Sequence, residues 1–265
     1  MSFEQALAEY GYENCSCENE RLFIGLGPKD IGQPVTELSD AFTYVCFFAA
    51  PEQVALLQDF VNSEFAQHVT HLFIGTSHDY AERVSTGRVA LELPYYFDKA
   101  IDVFKGAHLP ALKWLSIGDM ELLFNGQALH GYAGDISPVF PACPNLETLE
   151  VWSMFRMDQI VDHAAIQEIG IEADGLCMVK ETDEQVDAQS VTNLLSSRFE
   201  NLRVLELDIP ETDTTQYTIP EAFFEQPSMP ALKILNLGGF GDHIANQMDI
   251  WQQGTGRHDL KLSVE

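Results

Sequence analysis

Leu109-Pro110-Ala111-Leu112-Lys113-Trp114-Leu115-Ser116-Ile117-Gly118 places Leu112, Leu115 and Ile117 in the spacing apolar-x-x-apolar-x-apolar. The spacing returns at Leu146, Leu149 and Val151, at Ile166, Ile169 and Ile171, at Leu202, Leu205 and Leu207, and at Leu232, Leu235 and Leu237. Val69, Leu72 and Ile74 form an earlier, weaker copy. In a chain of ordinary apolar content such a triplet arises by chance about one time in ten, so the triplets alone decide little. The residues before them decide more. Leu109-Pro110-Ala111, Cys143-Pro144-Asn145, Phe199-Glu200-Asn201 and Met229-Pro230-Ala231 each lead into Leu and a charged residue.

Each copy reads as a short strand. Alternation sends the second and third apolar residues to one face, and the first belongs to the turn leading in. One such strand cannot bury its apolar side alone, whereas neighbours stacked about 4.8 Å apart share a core. The expected fold is therefore α/β: a leucine-rich-repeat solenoid with a parallel β-sheet on its concave face and irregular helices and loops on its convex face. First positions at 69, 112, 146, 166, 202 and 232 give spacings of 43, 34, 20, 36 and 30 residues, so several returns are long. Helical periodicity marks two of them and a segment before the first copy. Phe97, Ala100, Ile101 and Phe104 form one stripe, Val191, Leu194, Leu195 and Phe199 a second, and Val54, Leu57, Val61 and Phe65 a third that opens at Pro51.

The run Phe42 to Phe48 precedes that third helix, so residues 41–68 read as a strand–helix amino-terminal cap and residues 69–265 as the repeats. Leu260, Leu262 and Val264 alternate as a closing strand would. Residues 1–40 show no period and are expected to be an irregular segment, loosely held before Arg21. No Gly/Ser/Pro-rich linker interrupts the chain, so residues 1–265 are read as a single domain.

Lys and Arg number 14 against 41 Asp and Glu, a formal charge of −27. Such a field repels nucleic acid and anionic membrane and attracts a basic partner, within a screening length of about 8 Å at physiological salt. The odd set Cys15, Cys17, Cys46, Cys143 and Cys177 lacks the spacing of a secreted disulfide scaffold and reads as free thiols. No signal peptide or long apolar run is present, so a cytoplasmic location is expected.

The segments LPALKWLSIGD (109–119), GDISPVFPACPNLETLEVW (134–152) and IQEIGIEADGL (166–176) resemble a family of bacterial cytosolic leucine-rich-repeat proteins of uncharacterised function. Ile117-Gly118-Asp119, Asp135-Ile136-Ser137-Pro138 and Ile171-Glu172-Ala173-Asp174-Gly175-Leu176 carry most of the likeness, which runs from about Phe42 to the carboxyl terminus. The resemblance implies the repeat fold and a bacterial cytosolic setting. It supplies no catalytic residues, and the first 40 residues depart from it.

Catalytic and cofactor signatures are weak. Gly25-Leu26-Gly27-Pro28-Lys29-Asp30 lacks the Gly-Lys-Ser/Thr ending of a phosphate loop and sets a proline where amides are needed. His68, His71, His78 and Asp79 have no recognised metal motif around them, and a strand would point residues three apart to opposite faces. Cys15-Ser16-Cys17 is isolated, no Gly-x-Ser-x-Gly elbow occurs, and abundant carboxylates make any acid–base pair arbitrary. No metal or cofactor is expected.

Binding is the expected role. If Leu115 and Ile117 face the core, their alternates face outward, and the same offset applies to every copy. It brings Trp114, Ser116, Glu150, Trp152, Glu168, Glu172, Glu206 and Asp208 onto one surface as a partner-binding set. Carboxylates beside tryptophan suit the Lys and Arg of a basic protein. The chain is thus expected to be a non-enzymatic protein-binding module, in its sharper form an immunity or antitoxin-like inhibitor. Its competitors are a DNA-mimic inhibitor of a nucleic-acid-binding protein and a metal-dependent hydrolase using His68, His71 or Cys17.

Overall fold

The computed structural model describes residues 2–25, 32–49, 51–76, 95–118, 131–173, 186–209, 217–225, 228–255 and 259–264. The strands are β1 (Cys15–Glu18), β2 (Arg21–Ile24), β3 (Gln33–Pro34), β4 (Tyr44–Ala49), β5 (His71–Thr76), β6 (Tyr95–Tyr96) and β7 (Trp114–Gly118). They continue as β8 (Gly131–Asp135), β9 (Thr148–Trp152), β10 (Met154–Arg156), β11 (Glu168–Glu172), β12 (Val204–Asp208), β13 (Ile234–Gly238) and β14 (Lys261–Val264). The helices are α1 (Phe3–Tyr10), α2 (Pro51–Val61), α3 (Asp98–Asp102), α4 (Val139–Ala142), α5 (Ala188–Ser196), α6 (Glu221–Glu225) and α7 (Asp242–Thr255). The architecture is mixed α/β. Eleven strands form one sheet in the order β14-β13-β12-β11-β9-β7-β5-β4-β2-β1-β3, parallel from β2 to β14, while β6, β8 and β10 make a small parallel sheet on the return side.

The apolar triplets lie side by side. One row runs Leu22, Val45, Leu72, Leu115, Leu149, Ile169, Leu205, Leu235 and Leu262, each paired in register with the next. A parallel row joins Ile24, Phe47, Ile74, Ile117, Val151, Ile171, Leu207, Leu237 and Val264. All are buried except the half-buried Leu262 and Val264 on the last strand. Each such side chain contributes about 1.5–3 kcal/mol when taken fully from water, so these rows are a substantial part of the apolar gain of the fold. The helical stripes pack on the same side: Leu57, Ile101, Phe104, Val191 and Leu194 belong to the one large core cluster that holds the rungs.

The repeated lead-in has a hydrogen-bonding cause. The amides of Leu112, Leu146, Leu202 and Leu232 donate to the carbonyls of Leu109, Cys143, Phe199 and Met229, at 3.2, 3.0, 3.4 and 3.2 Å. Each is a β-turn, whose second position favours proline, and Pro110, Pro144 and Pro230 stand there. Just beyond the turn one carbonyl receives two amides of the next rung. Lys113 O accepts from Glu147 and Thr148, Glu147 O from Gln167 and Glu168, Gln167 O from Arg203 and Val204, and Arg203 O from Lys233 and Ile234. Asn145 and Asn201 add side-chain bonds to Pro110 O and Ala164 O, at 2.8 and 2.7 Å.

The copy at Ile166 breaks the lead-in pattern, and His163 mends it. His163 occupies the turn position that Leu109 or Cys143 fills elsewhere, is buried, and accepts the Ile166 amide on Nδ1 at 3.2 Å. Its Nε2 lies 2.9 Å from Cys143 O, so the neutral Nε2–H tautomer satisfies both partners. The side chain thus replaces the backbone bond of the standard turn.

The described part of residues 1–40 is not the irregular segment expected. α1 buries Phe3 and Leu7, one turn apart on one face, and a capping box between Ser2 and Gln5 starts it. The hairpin of β1 and β2 then extends the main sheet, with Asn19 and Glu20 at positive φ in its turn. A helix of two turns and four-residue strands are too short to announce a period, which is why the sequence reads as patternless there. The helices also differ in extent. α3 is a single short helix whose stripe continues into a turn at Phe104, and Phe199 lies beyond α5 in the next lead-in. Among the described residues no helix is long and apolar enough to cross a membrane.

Two outcomes test this account. Leu205→Ala should cost about 2–5 kcal/mol in chemical denaturation, whereas Val204→Ala, on the opposite side of the same strand, should cost under about 1 kcal/mol. Burial holds the His163 pKa below its ordinary 6.5, against smaller opposing effects of the Cys143 carbonyl and Asp162. A folded pKa below the unfolded one means the unfolded chain takes up the proton first. Stability from this group is therefore complete above about pH 6.5 and declines as pH falls below it, a slope that thermal unfolding should lose on His163→Gln.

Candidate functional site

The side of the sheet opposite the core carries three rows of side chains, set by the same register. The first runs Tyr44, His71, Trp114, Thr148, Glu168, Val204, Ile234 and Lys261. The second runs Phe23, Cys46, Phe73, Ser116, Glu150, Gly170, Glu206, Asn236 and Ser263. The third pairs Gly118 with Trp152 and joins Glu172, Asp208 and Gly238.

Six of the eight residues expected to form a partner-binding set converge. Glu150, Trp152, Glu168, Glu172, Glu206 and Asp208 line one depression of about 240 Å³ over β9, β11 and β12, with Thr148, Gly170 and Val204 among its other walls. Glu172, Glu206 and Asp208 also border a wider hollow of about 640 Å³ toward β13 and β14, with Asn236, Gly238 and Ser263. Asn236 donates to Glu206 Oε1 at 2.8 Å and so orients that carboxylate. Among the described residues Glu150 and Glu168 enter no ion pair. Closely set carboxylates without a cation repel one another, and a bound cation relieves that repulsion.

The other two residues behave differently. Ser116 is 2% exposed and therefore withdrawn from any partner, a correction to the expectation that every alternate residue is reachable. Its row neighbours in register are Phe73 and Glu150. Trp114 is half-buried in a group of rings with Tyr44 and His71. Tyr44 was not singled out from the sequence, although the offset that gives Trp114 gives Tyr44 one repeat before His71.

The aromatic end of the face is electrostatically distinct. Burial, with the Cys46 thiol next in effect, pushes the Tyr44 phenol up to about 12; Arg21 opposes this and Glu150 adds to it. Burial lowers the His71 pKa from 6.5, helped by Arg21 and Lys113, and its Nδ1 lies 2.8 Å from Thr70 Oγ1. Burial likewise raises the thiols of Cys15 and Cys46 to about 12 and raises Cys143, so each holds its proton at neutral pH. Cys15, Cys17, Cys46 and Cys143 are free, as expected.

Of the chemistry considered from the sequence, His68 sits in a short helical turn before β5 and His71 on the outward side of that strand. Among the described residues no three His, Cys, Asp or Glu side chains are grouped to hold a metal. Gly25 closes β2 at φ +99, and residues 26–30 of the glycine-rich stretch lie outside the described residues, as do Cys177, His78 and Asp79.

No family model matches the chain, and no curated relative does. Among solved structures it is similar to a crystal structure of a Bacteroides fragilis protein, with 17% identity and a TM-score of 0.40 over 74% of this chain and 54% of that one. The chain thus spans about half the length of that neighbour.

The glycines of the face separate by role. Gly118 sits at φ +102, where an added Cβ would come within 2.5 Å of the Trp152 carbonyl oxygen, whereas a Cβ on Gly170 would meet nothing within 4 Å. Gly118→Ala should therefore cost about 1–3 kcal/mol and Gly170→Ala under about 0.5 kcal/mol in parallel denaturation measurements.

Proposed function

We propose that this chain is a non-enzymatic, protein-binding leucine-rich-repeat solenoid of the bacterial cytoplasm, with the parallel sheet on its concave side. It engages a basic protein through the acidic face of that sheet, as an immunity or antitoxin-like inhibitor would. The fold part is supported by rungs that follow one another in chain order from β4 through β14, each pairing with the next copy in register. The functional part rests on one observation. Three neighbouring strands bring Glu150, Glu168, Glu172, Glu206 and Asp208 to a single depression with Trp152, in a chain of net charge −27. A field of that sign accelerates encounter with a cationic surface, and the depression supplies the short-range pairing.

The DNA-mimic alternative needs carboxylates spaced along a track as phosphates are. Gly170 stands between Glu150 and Glu206 in their row, and Gly238 follows Asp208 in the next, so the carboxylates form a patch. The patch favours a compact cationic protuberance.

The test is affinity capture from native cells at two salt concentrations, with recovered proteins identified by mass spectrometry. Glu150→Gln, Glu168→Gln and Glu206→Gln together should weaken capture of a basic protein about tenfold, each exposed carboxylate contributing about 0.2–1 kcal/mol. A control of equal charge change at the exposed Glu9, Glu18 and Glu37 should leave capture nearly intact. Equal loss in both variants would show that net charge alone acts, and recovery indifferent to salt would remove the electrostatic reading.

A further inference from the structure

The outward face is acidic only over part of its width. Toward β2 it becomes aromatic. Tyr44, His71 and Trp114 are successive members of the first row, all half-buried, with ring centroids 5.4, 6.0 and 5.6 Å apart for the Tyr44–His71, His71–Trp114 and Tyr44–Trp114 pairs. Tyr44 and Trp114 are two strands apart, a separation of about 10 Å from interstrand spacing alone, so phenol and indole lean together over the imidazole. The group rests beside a small apolar cluster of buried Phe23, Cys46 and Phe48 with half-buried Phe73. At its outer end the Arg21 guanidinium lies 5.0 Å from the Tyr44 ring centre, so the rings already hold one cation of this chain. At its inner end the row continues to Thr148, a small residue, and the acidic depression begins there.

The geometry points to a two-part docking surface for a basic amphipathic segment of a partner protein: an apolar side chain seats against Trp114 and His71, and a neighbouring Lys or Arg enters the depression above Gly170. This inference rests on the proposal that a basic protein binds the face, and extends it to Tyr44, His71 and Trp114. Charge complementarity selects the occupant. A second copy would bring another −27 charges to the carboxylates, and nucleic acid would bring phosphates. Gly170 lies two strands from Trp114 and two residues further along, about 12 Å, within reach of adjacent side chains on one bound segment. In register it sits between Glu150 and Glu206, and the space above its Cα is clear. Rings supply apolar area at low entropic cost while the carboxylates fix polarity, the division of labour found at protein interfaces.

The experiment uses two labelled peptides of equal charge, Gly-Arg-Leu-Arg-Gly-Lys-Gly and its twin with Ser in place of Leu, titrated by fluorescence anisotropy at low salt. The wild-type chain should bind the Leu peptide about fivefold or more tighter than the Ser twin, as expected for burying one leucine side chain. Trp114→Ala should abolish that preference while leaving the weaker, charge-driven binding; should that variant fail to fold, His71→Ala reads the same preference. Gly170→Leu, which adds bulk without changing charge, should weaken both peptides. Equal wild-type affinity for the two peptides, with both lost in the Glu150, Glu168 and Glu206 to Gln variant, would overturn the aromatic anchor and leave the acidic site standing. Absence of binding by either peptide would overturn both. A concentration-dependent dimer dispersed by Trp114→Ala would seat a second copy on the rings and overturn the partner assignment.

Discussion

Register between successive parallel strands is the constraint on which the rest depends. Side chains alternate with period two, so a slip of one residue in any rung would exchange its core and outward sets. The pairing of Leu72, Leu115, Leu149, Ile169, Leu205 and Leu235 therefore fixes the neighbours of Glu150 and Glu206 as firmly as it fixes the core. Backbone chemistry holds the register at the strand entrance. There a β-turn ends each lead-in, and one carbonyl takes two amides from the following rung. The apolar rows and the helices and turns packed on them supply the apolar free energy, and the hydrogen bonds supply the alignment.

That alignment has an electrostatic consequence. Carboxylates scattered through the sequence between residues 150 and 208 become neighbours because their strands are stacked, at spacings of about 4.8 Å per rung. Repulsion among them is tolerable because they face outward, where water and salt screen it. At the other end of the face the same stacking gathers rings, and burial there keeps His71 inclined to neutrality. A single sheet surface therefore changes from aromatic to acidic across a few strands.

The apolar triplets that form the sheet's core rows were legible because they are local. A triplet and its lead-in span about ten residues, and their meaning depends on turn preference and alternation, both of which act within that length. The acidic set was legible by the same rule, since an offset from a known core position assigns the outward side. The first forty residues were not, because a two-turn helix and short strands have too few apolar repeats to stand out from composition. His163 was hidden for a different reason. A polar residue in an apolar turn position reads as a break in the pattern, and only the approach of Cys143 O and the Ile166 amide turns it into a substitute for the missing backbone bond.

By itself the sequence determined the rungs from β4 onward, their order, the side their residues face and the sign of the outward surface, because these follow from short-range periodicity and charge. The tertiary structure decided depth and company. Ser116 lies on the outward side and is nonetheless buried, while Tyr44 and Trp114 meet across His71 although their strands are not adjacent. Exposure and contact depend on the size and lean of side chains from other strands. Those are properties of the packed assembly, and no window of the chain contains them.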